Sequence, residues 1–512
     1  MLSRRTFLAA GGLALFSARD LFASAVHVPY FTTNPFTLGA ASGDPSHDGA
    51  VIWTRLAPDP LNGGGVEPLP FAVRWEVADD EAMTRIVQRG TAVAEPALAH
   101  SVHVEVSGLR PDRWYWYRFD ASGFMTPPAR LRTLPLDNAA ANRLRFVFAS
   151  CQYWESGYYT AFRHMAEEDV DLVFHLGDYI YEGPARQGVV RPHIGGQLLT
   201  LDDYRGRYTQ YKLDPNLQAA HRIAPWIVTW DDHEVANNYA ADTSMRNDPR
   251  DQFLLRRAAA YQAYYEHMPL RRTSQPHGPD AQMYRSFTFG SLASFFVLDT
   301  RQYRSPQACG NGVKPVCDGI FDPNTTMMGS VQERWLLDGI TSSRRKWNVI
   351  PQQVMMAPVD LQPGEGVVLS TDQWSGYDVA RTRLLRFFDL EPGHNPVVLS
   401  GDIHNNWVND LHVNFLDPRS PVVGTELVGT SITSGGDGSD MPDGMRPVLA
   451  ENPFVKFHND QRGYVRCIVT PQELRADFRV VPYVQREGAP IGTRESFVVE
   501  EGRPGAQRAG SS

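Results

Sequence analysis

Asp171-Leu172-Val173-Phe174-His175-Leu176 runs directly into Gly177-Asp178-Tyr179-Ile180-Tyr181-Glu182. The first half is a short apolar run of the kind that fills a strand buried on both faces, and the second turns polar at a glycine. Four further stretches repeat that change. Leu144-Arg145-Phe146-Val147-Phe148-Ala149 leads into Ser150-Cys151-Gln152, and Trp226-Ile227-Val228-Thr229-Trp230 leads into Asp231-Asp232-His233-Glu234. Phe295-Phe296-Val297-Leu298 precedes Asp299-Thr300-Arg301, and Pro396-Val397-Val398-Leu399-Ser400 precedes Gly401-Asp402-Ile403-His404-Asn405-Asn406. Trp347-Asn348-Val349-Ile350 is one more strand. Helical spacing lies between several of them, over 159–168, 252–267, 330–342 and 379–390. Strands alternating with helices predict an α/β domain over 143–500. In open α/β sheets the carboxyl ends of the strands converge on one edge, so these loops bring Cys, Asp, Tyr and His together. That is the inventory of a metal site.

Upstream the rhythm is different. From 36 to 133 short alternating strands are separated by turn residues, as in Ala72-Val73-Arg74-Trp75-Glu76-Val77 and Ser101-Val102-His103-Val104-Glu105-Val106. Leu109-Arg110-Pro111-Asp112 feeds the aromatic strand Trp114-Tyr115-Trp116-Tyr117-Arg118-Phe119, the pattern of a tyrosine corner. The expectation is an immunoglobulin- or fibronectin-like β-sandwich with a structural role, joined by an Ala-rich linker (134–142) to the α/β domain. The Gly/Ser/Arg tail after Glu501 reads as low complexity.

Residues 1–25 read as a leader. Ser3-Arg4-Arg5-Thr6-Phe7-Leu8 opens an apolar run too short to span a bilayer, and Ala23-Ser24-Ala25 offers a cleavage site. Paired arginines in this setting resemble a twin-arginine signal, which implies export of the folded protein to a periplasm or beyond. The 512 residues carry 49 basic and 58 acidic side chains, a net charge of −9, and only four of the basic ones are lysine. A nucleic-acid or anionic-membrane binder needs a basic excess that is absent here. Four cysteines are too few for a disulfide scaffold. Cys309 and Cys317 bracket a Gly/Asn/Pro-rich loop and suit a local disulfide; Cys467 reads as a core thiol, and Cys151 sits among the polar loops.

Those loops, in that order, resemble the calcineurin-like metallophosphoesterases and, in their variants, the PhoD-type alkaline phosphatases. Gly177-Asp178-Tyr179-Ile180-Tyr181 matches the G-D-x-x-Y motif, whose aspartate bridges two metals and whose tyrosine binds iron in some members. Asp231-Asp232-His233-Glu234 stands where G-N-H-E is usual, Gly401-Asp402-Ile403-His404 where G-H-x-H is usual, and Ser150-Cys151-Gln152 where D-x-H is usual. Asp372-Gln373-Trp374-Ser375-Gly376-Tyr377 is a further shared stretch. The resemblance implies a four-layer α/β/β/α sandwich, and it covers essentially the whole chain, more weakly over 184–220 and 305–330.

The chemistry of the residues agrees with it. A phosphoryl centre repels hydroxide, so cations that neutralise it and activate the nucleophile are needed. Asp178 can bridge two of them. Tyr181 as phenolate, Cys151 as thiolate and His404 as imidazole suit Fe3+, whereas Asp232 and Asp402 favour a hard cation, Ca2+, at the second position; Zn2+ or Mn2+ are the alternatives. Asn237 or Asn238 either adds a neutral oxygen or caps a helix. His233 is the candidate acid toward the leaving group, or else orients Asp232. Arg257, beside Arg256, is the candidate phosphate contact, Asp372 and Trp374 candidate cleft walls with Asp372 a possible outer ligand, and His175 a satisfied core histidine. The expected activity is hydrolysis of phosphate monoesters by metal-activated hydroxide outside the cytoplasm, on small phosphate esters. The alternatives are a phosphodiesterase acting on cell-wall polymers or phospholipids and, in another class, a non-catalytic surface binding protein.

Overall fold

The structure, a computed structural model, describes residues 26–510 apart from 392 and 418, so the leader lies outside the described residues. Eight strands come first: β1 (Ala40–Ser46), β2 (Gly49–Arg55), β3 (Phe71–Ala78), β4 (Ile86–Ala94), β5 (Ser101–Val106), β6 (Trp114–Ala121), β7 (Phe124–Met125) and β8 (Ala129–Arg132). Alternation decides their faces. In β6, Tyr115, Tyr117, Phe119 and Ala121 turn inward while Trp114, Trp116, Arg118 and Asp120 turn out. The Tyr115 hydroxyl accepts the backbone N–H of Arg110 at 3.0 Å, closing the corner read from the sequence.

This all-β unit is not a free-standing sandwich. β3, β4, β6, β7 and β8 form a sheet of their own, but β1, β2 and β5 extend a ten-stranded sheet that belongs mostly to the rest of the chain. The junction is Gly43, paired in parallel with Trp226. A Cβ at Gly43 would lie 2.5 Å from the Pro269 carbonyl oxygen and 2.6 Å from that of Trp226, so only glycine lets the two strands meet.

The larger unit contributes β9 (Leu144–Ala149), β10 (Leu172–His175), β11 (Trp226–Val228), β12 (Arg285–Phe289), β13 (Ala293–Val297), the ribbon β14 (Val313–Pro315) and β16 (Val368–Ser370), β15 (Trp347–Pro351) and β17 (Pro396–Ser400). It continues with β18 (Asn406–His412), β19 (Val422–Val428), β20 (Val455–Asn459), β21 (Arg462–Val469), β22 (Glu473–Val481), β23 (Gly492–Glu500) and β24 (Arg503–Arg508). The ten-stranded sheet runs β24-β23-β22-β21-β9-β10-β11-β1-β2-β5, and a seven-stranded one runs β12-β13-β15-β17-β19-β18-β20. Both mix parallel and antiparallel pairs. The fold is α/β with an N-terminal all-β unit. β24 corrects the reading of the tail: Arg503–Arg508 is an ordered edge strand.

Among the described residues seven helices pack on these sheets: α1 (Thr160–Met165), α2 (Leu201–Lys212), α3 (Pro215–Arg222), α4 (Arg250–His267), α5 (Gly329–Ser342), α6 (Asp378–Leu390) and α7 (Met445–Glu451). One apolar cluster joins the facing sides of the sheets through Phe146, Phe148, Phe174, Phe295, Val349 and Leu399. A second sets Val147, Val173 and Val228 against Phe162, Tyr204, Tyr208 and Phe253 of α1, α2 and α4. A third sets Ile350 and Val398 against Leu336, Ile340, Leu384 and Leu385 of α5 and α6. Cys467 lies in the first cluster as a buried free thiol, and Cys309 is bonded to Cys317.

Candidate metal centre

β9, β10, β11, β13 and β17 all end at one edge of the two sheets, and the loops after them close on a common point. Their backbones are bent to do so. Cys151, Asp178, Asp402 and His404 have φ of 59°, 55°, 66° and 63°, in the left-handed region that residues other than glycine rarely enter. Glycine is used where even that bend is too wide: a Cβ at Gly177 would lie 2.4 Å from the backbone nitrogen of Asp231, and one at Gly401 2.6 Å from the Ser150 hydroxyl. Glu234, fully buried, ties two loops together by accepting the N–H groups of Asp178 (3.0 Å), Tyr179 (2.5 Å) and Asp231 (2.8 Å).

Three ligand sets share one residue. Ligand atoms of Cys151, Asp178 and His404 lie within 4.8 Å of one another; so do those of Asp178, Asp232 and His233, and those of Asp178, Asp231, Asp232 and Asp402. Asp178 belongs to all of them. Its Oδ2 accepts the Tyr181 hydroxyl at 2.9 Å, which also lies 3.3 Å from His404 Nε2 and 2.6 Å from the Ser434 hydroxyl. The Tyr181 ring packs at a tilt against those of His233 and Tyr153, with ring centres 4.1 Å and 4.4 Å away. Cys151, Asp178, Tyr181, Asp232, Asp402 and His404 therefore meet as a group.

The electrostatics of the group are those of a site built for cations. Burial, then the neighbouring carboxylates, raises the Asp178 pKa well above the ordinary range even against the pull of His233. Burial also raises the Cys151 thiol and Tyr181 phenol, with Asp178 adding to both. His404 is pushed down to about 3 by burial, with Arg462 and His233 adding to it, which keeps its imidazole neutral and able to coordinate. One carboxylate oxygen, Asp231 Oδ2, is buried with no hydrogen-bond partner. Buried acids that repel one another and an unpaired oxygen fit bound cations.

Arg301 and Glu182 were not singled out by the sequence reading. Arg301 is wholly buried; its guanidinium bonds Asp231, lies 2.8 Å from Asp372 and 3.2 Å from Asp402, and comes within 3.8 Å of Asp232. The signal was present in Asp299-Thr300-Arg301 after a buried strand, the position of the other loops. Glu182 accepts His233 Nδ1 at 2.6 Å. Burial pulls the His233 pKa down, but Asp232, Glu182 and Asp178 outweigh it and hold it well above that of a free imidazole.

Other candidates fall elsewhere. Arg257 donates to the Ala241 carbonyl at 2.7 Å and to Asp280 at 3.1 Å, and is not brought to the cluster; Arg256 is turned to the Tyr204 hydroxyl at 2.9 Å. Trp374 is no cleft wall: it is buried in the α5–α6 core and donates to Gln352 at 3.1 Å. Asp372 is held by Arg301, Arg304 and Gln307. The Asn238 N–H reaches Asp232 Oδ2 at 2.6 Å while its amide turns to Asn311 at 2.8 Å. His175 is satisfied by Gln152 at 3.2 Å.

Comparison with known proteins converges on one family. The family described as PhoD-like phosphatase matches residues 146–478, and its N-terminal domain matches residues 22–135. Alkaline phosphatase D of Bacillus subtilis (strain 168) is 50% identical over 521 aligned positions, spanning 99% of this chain and 89% of that protein. The solved structure titled "Structure of PhoD" superposes with a TM-score of 0.92 at 51% identity, covering 94% of each chain.

Proposed function

The chain belongs to the PhoD-like phosphatases, and from that membership we propose that it hydrolyses phosphate monoesters at a centre where Asp178, shared by every ligand set, would help to hold two cations. The single observation that carries the two-cation reading is the place of Asp178 between two chemically different ligand sets. On one side are a thiol, a phenol and an imidazole, which suit Fe3+; on the other are the carboxylates of Asp231, Asp232 and Asp402, which suit Ca2+. The cations, when bound, supply the positive charge that phosphoryl transfer requires and acidify the attacking water.

The protein groups do the rest. Glu182 grips His233 at Nδ1 and so leaves Nε2 as the atom that hands a proton to the departing alkoxide. Tyr181, packed against the same ring, limits its rotation. Arg301 is a positioning residue: buried among the carboxylates, it pairs with Asp231, Asp372 and Asp402, offsets their mutual repulsion and fixes their places. The three apolar clusters support a four-layer α/β/β/α sandwich as the frame, with residues 143–500 and the edge strand β24 as its extent and 36–133 as the accessory β-unit. The paired Arg4 and Arg5 support export by the twin-arginine route, which delivers the folded enzyme to the periplasm or beyond.

Metal analysis with turnover of para-nitrophenyl phosphate tests the centre. Asp178→Asn is expected to lose both metals and to fall below a few per cent of wild-type turnover, because an amide cannot bridge as an anion. Wild type is expected to show a visible phenolate-to-iron band that Tyr181→Phe removes. Full activity in an iron-free preparation, or a band indifferent to that substitution, refutes the ferric assignment.

A further inference from the structure

The all-β unit is open along one side. β4 and β5 are the outer edges of its two sheets, and between them lies a cleft of about 870 Å³ that ends against Tyr265 of α4 and the segment at Arg272 and Gln275. It shares no residue with the loops of the metal centre. Its floor is Trp75, Ala92 and Val104, partly buried and packed on the core of the unit. The indole is laid flat by design of the neighbouring strand: Gly90 of β4 faces Trp75, and a Cβ there would lie 2.5 Å from the ring. Glycine inside a strand costs about 0.5–1 kcal/mol relative to alanine, and here it makes the room the indole occupies.

The half-buried ring of His103 lines the facing side, backed by buried Tyr265. His103 of β5 stacks on Tyr265 with ring centres 4.4 Å apart and planes 3° from parallel, and its Nδ1 lies 3.2 Å from the Leu270 carbonyl oxygen, which fixes the ring. The rim is polar and of both signs. Glu95 and Arg272 are exposed, and Glu105 is held by the Arg272 N–H at 2.8 Å and by the Arg271 guanidinium at 3.1 Å. Flat aromatic faces take the C–H face of a sugar ring, and carboxylate, guanidinium and amide groups around them pair with its hydroxyls. The two rim carboxylates disfavour a polyanion such as nucleic acid.

The geometry points to a glycan-binding cleft for a chain of neutral hexopyranose units, which would hold the enzyme on a carbohydrate matrix and raise the local concentration of esters attached to it. The probes are hydroxyethylcellulose and glucomannan cast into native gels, and purified chitin in a sedimentation assay. Wild type is expected to be retarded or sedimented by at least one of them. Trp75→Ala should bind at least about tenfold more weakly, and Glu95→Gln, on the exposed rim, should weaken binding without risk to the fold. Both should turn over para-nitrophenyl phosphate as wild type does. Absence of wild-type binding to all three probes overturns the inference. So does binding unchanged by both substitutions, or occupation of the cleft by an extended peptide that glycan fails to displace.

Discussion

Four candidate ligands, Cys151, Asp178, Asp402 and His404, sit on left-handed backbone, and each such residue costs of the order of 1–3 kcal/mol. The strain is coupled to charge, since Asp402 is also raised in pKa by burial, against the pull of Arg301, and by its like-charged neighbours. Stability and activity should therefore part company at this residue. Asp402→Gly relieves both penalties and is expected to stabilise chelator-treated protein by ~1–2 kcal/mol while abolishing turnover; a lower melting temperature for the metal-free variant would contradict this. His233→Asn tests proton delivery. General acid catalysis is worth about 10²–10⁴-fold, and the loss should be largest for an alkyl phosphate and small for para-nitrophenyl phosphate, whose leaving group needs no proton. Equal losses on both would make His233 an orienting residue for Asp232. At this scale the sequence spoke clearly through residue type: a cysteine, a tyrosine and a histidine in polar loops after buried strands stood out. Arg301 did not: its loop follows a buried strand as the others do, but its role among 49 basic side chains is read only once the carboxylates around it are seen.

Among elements, α2 shows how packing hid what was written. Thr200 caps it by accepting the N–H of Asp203, whose carboxylate returns to the Thr200 N–H, and Tyr204, Tyr208 and Tyr211 fall on one buried face. Those signals lay in a stretch whose buried residues are mostly polar, so hydrophobic periodicity passed it over. α4, by contrast, was legible from its repeated tyrosines and alanines. The last residue of α2, Lys212, is 2% exposed and lies over the rings of Trp53, at 4.3 Å, and Tyr179, at 5.4 Å, with the histidines 175, 221 and 267 near enough to feel its charge. Burial lowers its pKa from 10.5 to about 7. Between those two values the unfolded chain carries a proton that the folded one lacks, so stability rises with pH from about 7 to 10.5. Lys212→Met should flatten that rise and stabilise the protein at pH 7 and below by up to ~4–5 kcal/mol. Denaturant midpoints across pH 6–10 measure it; parallel curves for the two proteins would place the charge elsewhere.

For the molecule as a whole, the two sheets are fastened at their ends as well as through their faces. β24 pairs with β23 in one sheet, while the N–H groups of Gly505 and Ala506 reach Thr425 (3.1 Å) and Asp410 (3.0 Å) in the other. Removing 502–512 is expected to lower the melting temperature by several degrees and leave metal content intact, since β24 supplies none of the candidate metal ligands; loss of metal from the folded, truncated protein would be the contrary result. The sequence divides the chain at the change from short strands to alternating strands and helices. What it did not disclose is that β1 pairs with β11 across that division, because a single register pair at Gly43 leaves no periodic trace. The seam has a consequence for solubility. A chain cut at residue 143 would leave β11, an inner strand of three buried residues, as a bare sheet edge with its outward N–H and C=O groups unsatisfied. An edge without charged, proline or bulged protection invites another copy to pair with it. The accessory unit thus works as a cover that keeps catalytic sheets from adhering to one another, and a catalytic fragment without it should precipitate rather than stay monomeric.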